Sequence, residues 1–382
     1  MSETSPIIQN FLSAQFFLAL VISIALIPIL RRLAVNVGLV DHPGGRKQHK
    51  ASVPLVGGPA IVLATAVSLL IWGIPAEFTG MLTAASGLFL IGAIDDKYDI
   101  SAKFRLVVQT SLVVMALWWD NIWLSEIIVS ENFVLNLGVF GYPLTVIAVL
   151  GIMNAINMLD GLDGLSSGVV LIILGFLIGI ATVAGATGVS LIGVCTFGSV
   201  LGFWAYNYRF SWREKASVFM GDSGTTVLGF VLPLLAIKLS IVAPTYAPKS
   251  LLLWLFAIPI WDICAVIIKR LRDNKSPLQA GRDHIHHVLM NAGLTVRHSL
   301  HLIYLLTITT ISFGVSVRYF DLSQIEAYAA FFMFMAVYLG RVGSLSKKSK
   351  SNIYDFQNQG DRRESEENSK IIELSNRSNT IV

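Results

Sequence analysis

Four clusters carry the chemistry this sequence can offer. The first is Gly92-Ala93-Ile94-Asp95-Asp96, followed by Asp99, Lys103 and Arg105. Adjacent carboxylates beside a glycine can share a divalent cation, or separate their pKa values so that one serves as a base. The same pair also suits a solvated helix end. In the second, Asn154, Asn157, Asp160 and Asp163 recur every third residue and end at Gly164. That spacing lines polar groups along one side of a helix end or loop. An oxygen-rich set of this kind suits a hard cation such as Mg²⁺ or the edge of a nucleobase; a helix cap is the plainer role for one of the acids. The third, Phe219-Met220-Gly221-Asp222-Ser223-Gly224, sets an acid between two glycines at a helix start. Backbone N–H groups there favour an anion, while Asp222 could hold a metal or cap the helix. The fourth, Gly281-Arg282-Asp283-His284-Ile285-His286-His287, has no cysteine partners and no His-Glu-x-x-His spacing, so zinc is disfavoured. Three imidazoles beside an arginine suit a diphosphate, and a merely solvated loop is the alternative. Asp41, His42, Arg46, Lys47 and His49 precede Gly57-Gly58 in a basic stretch that could hold a phosphate or only set topology. Asp262 lies inside an apolar run, facing the site or bonding a neighbouring helix.

The elements that must position these residues follow from composition. The chain has 382 residues, of which 54% are hydrophobic and 14% charged, with a mean hydropathy of +0.68. An ordinary soluble domain is about 25% charged. Fourteen of the charged residues fall in the last 42 positions, so the remainder is more apolar still. This excludes a soluble enzyme, a disordered chain and a fibrous protein. It predicts an all-α polytopic membrane protein. A membrane helix needs about 20 apolar residues. Eleven spans are expected at roughly 11–30, 54–74, 79–94, 106–119, 142–156, 168–184, 188–207, 224–241, 251–268, 300–317 and 325–340. The first is expected to be a retained helix, since no Lys or Arg precedes it.

In this arrangement 25 of the 28 Lys and Arg residues fall on one side, which the positive-inside rule makes cytoplasmic. All four clusters then sit at the cytoplasmic face, with the N-terminus outside. No Lys or Arg occurs between Leu106 and Tyr208, so the side of the second cluster follows from parity alone. Residues 1–340 form the membrane domain. The polar tail from Arg341 to Val382 is expected to be disordered and cytoplasmic. Cys195 and Cys264 sit in apolar runs and are expected to be buried thiols. Lys and Arg follow topology, not a nucleic-acid patch.

Together with Gly38-Leu39-Val40-Asp41 and Pro54-Leu55-Val56-Gly57-Gly58, the ordered clusters make the chain resemble the polyprenyl-phosphate N-acetylhexosamine-1-phosphate transferases. It looks most like the WecA-type branch. The resemblance runs from about Gly38 to Ser299. It implies a bacterial inner-membrane enzyme whose active site faces the cytoplasm. Such an enzyme moves N-acetylglucosamine 1-phosphate from UDP-N-acetylglucosamine to undecaprenyl phosphate, releases UMP, and initiates a cell-surface polysaccharide such as O-antigen. It further implies Mg²⁺ (or Mn²⁺) on Asn157 and Asp222, and catalysis by Asp95 and Asp96. Asp160 and Asp163 would lie at the nucleobase, and Arg105, Arg282, His284, His286 and His287 at the diphosphate and sugar. Lys47 and Lys103 would be further substrate contacts. Ile285 interrupts the histidines, as in the WecA-type branch and unlike the muramoyl-pentapeptide branch. One-step and aspartyl-phosphate routes are both open. The alternatives are the same reaction with another UDP-N-acetylhexosamine, and an ion-coupled transporter. Against the transporter, the acids gather at one face and no inverted repeat is evident.

Overall fold

The computed structural model describes residues 6–41, 52–130, 133–213, 215–276, 281, 283–317, 319–320 and 322–346. Lys47, Arg282 and nearly all of the polar tail lie outside the described residues. The helices are α1 (Pro6–Val37), α2 (Gly57–Trp72), α3 (Thr79–Tyr98), α4 (Ala102–Asp120), α5 (Gly141–Leu159), α6 (Leu165–Val183), α7 (Thr187–Asn207), α8 (Gly221–Val242), α9 (Lys249–Leu255), α10 (Ala257–Arg272), α11 (Ile285–Asn291), α12 (Val296–Ser316) and α13 (Gln324–Ser346).

Among the described residues, eight helices are long and apolar enough to cross a membrane: α1, α3, α5, α6, α7, α8, α12 and α13. The bent pair α9–α10 makes a ninth. The chain is therefore a multi-pass helical membrane protein. A helix occupies each of the eleven stretches expected from sequence, but α2 and α4 fall outside that long, apolar group. Helix α2 has only 16 residues, and α4 carries Lys103 and Arg105 in its first turn. Helix α13 runs on to Ser346, past the boundary drawn at Arg341.

Among the described residues, two small antiparallel ribbons interrupt the helices, which the apolar pattern does not reveal. In one, β1 (Val40–Asp41) pairs with β2 (Val53–Pro54); in the other, β3 (Glu126–Ser130) pairs with β4 (Phe133–Asn136). Cys195 is buried, whereas Cys264 is only half-buried; both are free thiols.

Helix α8 is the centre of the bundle, with 83% of its apolar window buried. Lipid is as apolar as leucine, so helices in a bilayer gain little by hiding apolar surface and rely on close backbone approach at small residues. That is how α8 is held. A Cβ at Gly92 of α3 would lie 2.5 Å from Cα of Ser223, and one at Gly229 would lie 2.7 Å from Cα of Met153 in α5. A Cβ at Gly58 of α2 would strike the backbone of Gly224. The segment entering α2 is stitched to the one entering α8: Phe219 N donates to Pro54 O (3.0 Å), Gly57 N to Phe219 O (2.9 Å) and Gly58 N to Met220 O (2.8 Å).

Helix ends inside the bundle are closed by borrowed carboxylates. Four N–H groups at each helix start lack an internal acceptor. Asp120, at the end of α4, accepts from Gly80 N (2.8 Å) and Met81 N (2.6 Å) at the start of α3. The 67° bend between α9 and α10 has a local cause as well. Pro259 cannot donate to the carbonyl of Leu255, so the helix breaks there.

Gly92→Ala should force α3 and α8 apart and lower the melting temperature in detergent, at a cost of about 1–3 kcal/mol. Gly151→Ala is the control, because nothing lies within 4 Å of its Cβ position. Equal melting temperatures for the two variants would refute the close-approach account.

Candidate active site

Helix α3 ends in Asp95 and Asp96. Asp99 stops it in the left-handed region at φ 49°, and Ser101 caps the next helix by accepting from Phe104 N. This tight corner brings the first turn of α4 back against the last turn of α3. Arg105 therefore faces Asp95. Its Nη1 pairs with Asp95 Oδ2 and, at 2.9 Å, with Asp222 Oδ2 at the start of α8. The other oxygen of Asp95 accepts from Ile100 N at 2.9 Å. Asp95 is only 6% exposed.

Asp96 points the other way and closes the start of α8. Its Oδ1 accepts from Asp222 N (2.6 Å), and its Oδ2 accepts from Ser223 N (3.2 Å) and Ser223 Oγ (2.8 Å). Gly221 permits this with φ 75°, and a Cβ there would lie 2.5 Å from the Asp96 carboxylate. On the far side of Asp222, Nδ2 of Asn157 donates to Asp222 Oδ1 (2.6 Å) and to Thr225 Oγ1 (2.8 Å). Helices α3, α4, α5 and α8 thus join Asp95, Asp96, Arg105, Asn157 and Asp222 in one bonded network.

The turn after α5 carries Asp160 and Asp163. Gly164 ends it at φ 86°, donating its N–H to Asn207 Oδ1 (2.7 Å) while its carbonyl accepts from the Tyr304 hydroxyl. Asp163 is committed to the loop after α7: its Oδ2 takes Arg209 Nε at 2.7 Å and Ala216 N at 2.9 Å. The charges that act on Asp160 are those of other acids. Desolvation first, then the charges of Asp222, Asp163 and Asp96, push its carboxyl up to about 7.

His286 reaches this turn from α11. His286 is 1% exposed, and a Cβ at Gly161 would fall on its Nε2. Burial first, then the neighbouring His287 and His284, push its pKa down to about 3, so it is neutral. Nδ1 of His284 bonds Asp262 Oδ2 at 2.8 Å. His287 lies against His286, with ring centroids 4.2 Å apart. Asp283 forms ion pairs with Lys269 (2.5 Å) and Arg270 (3.5 Å). Burial opposes ionisation of Asp283, but the Lys269 hydrogen bond and the two cations prevail and hold its carboxyl below the usual range.

Of the residues singled out from sequence, Lys103 is exposed and makes no bond to the network among the described residues. Lys47 and Arg282 lie outside those residues. Sequence reasoning missed Arg209, Lys269 and Arg270 as partners of the acids, since each read only as topogenic charge. It left Asp262 undecided, although an acid in an apolar run was the signal.

Among the described residues, no three His, Cys, Asp or Glu side chains gather closely enough to enclose a metal by themselves. A mixed, partial set is present instead. Asp222 stands beside Asn157, whose amide oxygen receives no hydrogen bond among the described residues. Asp160, whose carboxyl is raised by burial first and by Asp222, Asp163 and Asp96 after it, lies close by. Such a set fits Mg²⁺, which keeps several waters and usually takes one or two carboxylates plus substrate phosphates.

Membrane helices thus present acids, an amide and a guanidinium to one spot, the makings of a polar site in an integral membrane protein. Residues 78–240 match glycosyl transferase family 4. The chain is 33% identical over 296 residues to the undecaprenyl-phosphate alpha-N-acetylglucosaminyl 1-phosphate transferase of Escherichia coli (strain K12), covering 76% of this chain and 79% of that one. The transferase of the same name from Salmonella typhi is 33% identical over 327 residues, covering 84% and 85%. The probable undecaprenyl-phosphate N-acetylglucosaminyl 1-phosphate transferase of Bacillus subtilis (strain 168) is 33% identical over 299 residues, covering 76% and 80%. The chain belongs to this family of sugar-1-phosphate transferases.

Asp160 supplies a test of the electrostatics. Its folded carboxyl binds a proton more tightly (about 7) than the ordinary value of 3.8. The unfolded chain therefore releases that proton first, and stability falls as pH rises from 3.8 towards about 7. With chelator present, Asp160→Asn should raise the melting temperature more at about pH 8 than at about pH 5. A gain independent of pH would contradict the acid-rich environment.

Proposed function

We propose that the protein transfers N-acetylglucosamine 1-phosphate from UDP-N-acetylglucosamine to undecaprenyl phosphate, yielding undecaprenyl-diphosphate-N-acetylglucosamine and UMP. The site faces the cytoplasm of a bacterial inner membrane, and the product initiates a cell-surface polysaccharide such as O-antigen. One observation carries the reading: Asp95, Asp96, Arg105, Asn157 and Asp222 converge from four helices. The similarity to transferases named for undecaprenyl phosphate and N-acetylglucosamine supports the choice of substrates. Counting α2 and α4 as crossings beside the nine longer spans puts 25 of 28 basic residues on one side, and that asymmetry supports the orientation.

The acceptor's phosphate oxygen attacks the β-phosphorus of the donor. A new P–O bond forms there, the bond to the α-phosphate oxygen breaks, and UMP leaves. Such transfers depend on positioning and charge stabilisation more than on covalent chemistry. Arg105 is the cation at hand, and it exchanges its carboxylates for substrate phosphate oxygens. Asp95, released from Arg105, accepts the acceptor's proton at Oδ2. Asp96 has both oxygens occupied by the start of α8 and acts as a positioning residue that aims Asp222. Mg²⁺ or Mn²⁺ on Asp222 and Asn157 would offset the charge of the diphosphate and of the departing UMP. Asp160 and Asp163 face the uridine. Arg282, His284, His286 and His287, with Lys47 and Lys103 further out, serve the diphosphate and sugar.

Purified protein in detergent, given undecaprenyl phosphate, Mg²⁺ and a panel of labelled UDP-sugars, should form lipid-linked product from UDP-N-acetylglucosamine without any ion gradient. Preference for another UDP-N-acetylhexosamine would reassign the donor, and no product from any would sink the reading. Asp222→Asn should remove at least about a hundredfold of the rate while the protein still inserts. Near-normal turnover in that variant would remove the metal role. Asp96→Ala should cost both rate and melting temperature, because it uncaps α8; a rate loss at unchanged melting temperature would instead favour direct participation.

A further inference from the structure

Asp262 is buried, at 2% exposure, on α10 just beyond the helix break. Both of its oxygens are engaged with the histidine segment. Oδ2 meets Nδ1 of His284 at 2.8 Å, and Oδ1 accepts the N–H of Ile285, the first residue of α11, at 2.7 Å. A carboxylate accepts only, so His284 carries its proton on Nδ1 and directs Nε2 elsewhere. His284 lies parallel to His286 (6° between rings, centroids 6.0 Å apart). His286 in turn abuts Gly161, and neither of its ring nitrogens has a hydrogen-bond partner among the described residues. Behind Asp262, Trp261 packs on Phe331 (5.4 Å) and Tyr338 (5.6 Å) of α13, so α10 is braced from the other side.

We propose that Asp262 is the positioning residue of the sugar-nucleotide end of the site, clamping His284 and the start of α11 so that His286 rests on Gly161 of the Asp160–Asp163 turn. This builds on the transferase reading above. The clamp works through His284 and the start of α11, on the side that the transferase reading gives to the donor. Its loss therefore falls on donor recognition.

The test uses the full chain in detergent: wild type, Asp262→Asn, Asp262→Ala, His284→Ala and the Asp262→Ala/His284→Ala double variant. Initial rates are measured against UDP-N-acetylglucosamine and, separately, undecaprenyl phosphate. Asp262→Ala should raise the donor KM about tenfold and leave the acceptor KM within about twofold. Asp262→Asn, which keeps one acceptor, should fall between it and wild type. The double variant should be no worse than the worse single, because both changes break one link. An unchanged donor KM in both Asp262 variants, or a double variant that multiplies the two losses, overturns the clamp. Should Asp262→Ala fail to fold, the Asn variant and His284→Ala carry the kinetic test. Melting temperatures of the same proteins separate the two readings. An inactive wild type defeats the transferase assignment, whereas additive melting losses from Asp262 and His284 defeat the clamp.

Discussion

The site depends on a helix end closed by a carboxylate from another helix. The start of α8 points its unpaired N–H groups into the bundle, and Asp96 of α3 accepts from two of them and from the Ser223 hydroxyl. In a low-dielectric surrounding an unmet donor is costly, so this contact sets the distance and rotation of α3 against α8. Once it is made, Asp222 has little freedom. One of its oxygens meets Asn157 from α5 and the other meets Arg105 from α4. Asp120 closes the start of α3 in the same way at the opposite end of the bundle.

That contact requires helices nearly in backbone contact, which explains the glycines. Gly58, Gly92 and Gly229 let α2, α3 and α5 approach α8 more closely than any Cβ permits. Gly221 and Gly161 do the same locally, for the Asp96 carboxylate and the His286 ring. Close packing also accounts for the charge balance. Acids meet there because the end of α3 is packed against the start of α8. Arg105 pairs with two of them, and burial, then the charges of Asp222, Asp163 and Asp96, raise the proton affinity of Asp160.

The histidine segment is built on different terms. It lies after the broken α9–α10 pair and is held from behind by Asp262, Lys269 and Arg270, not by a helix-start cap. His286 of α11 meets Gly161 in the turn after α5, so two separately braced parts of the site face each other there. The family match covers residues 78–240, which hold the acids and amides, and stops before the histidines.

Composition alone established that the chain is helical and lives in a membrane, because 54% apolar residues with so few charges admit no other solvent. The helical stretches were legible for the same reason, as were the four clusters, whose residue types are costly in lipid and so stand out. The short ribbons were not, since two residues of strand leave no periodic pattern. Nor was the division of labour between Asp95 and Asp96. As neighbours in sequence they are chemically alike, yet successive residues on a helix point about 100° apart. One therefore meets Arg105 and the other the start of α8. The same holds for Arg209, committed to Asp163, and for Asp262, committed to His284. A residue's type is written along the chain, but its partner depends on which helices lie side by side and how each is turned, and only packing decides that.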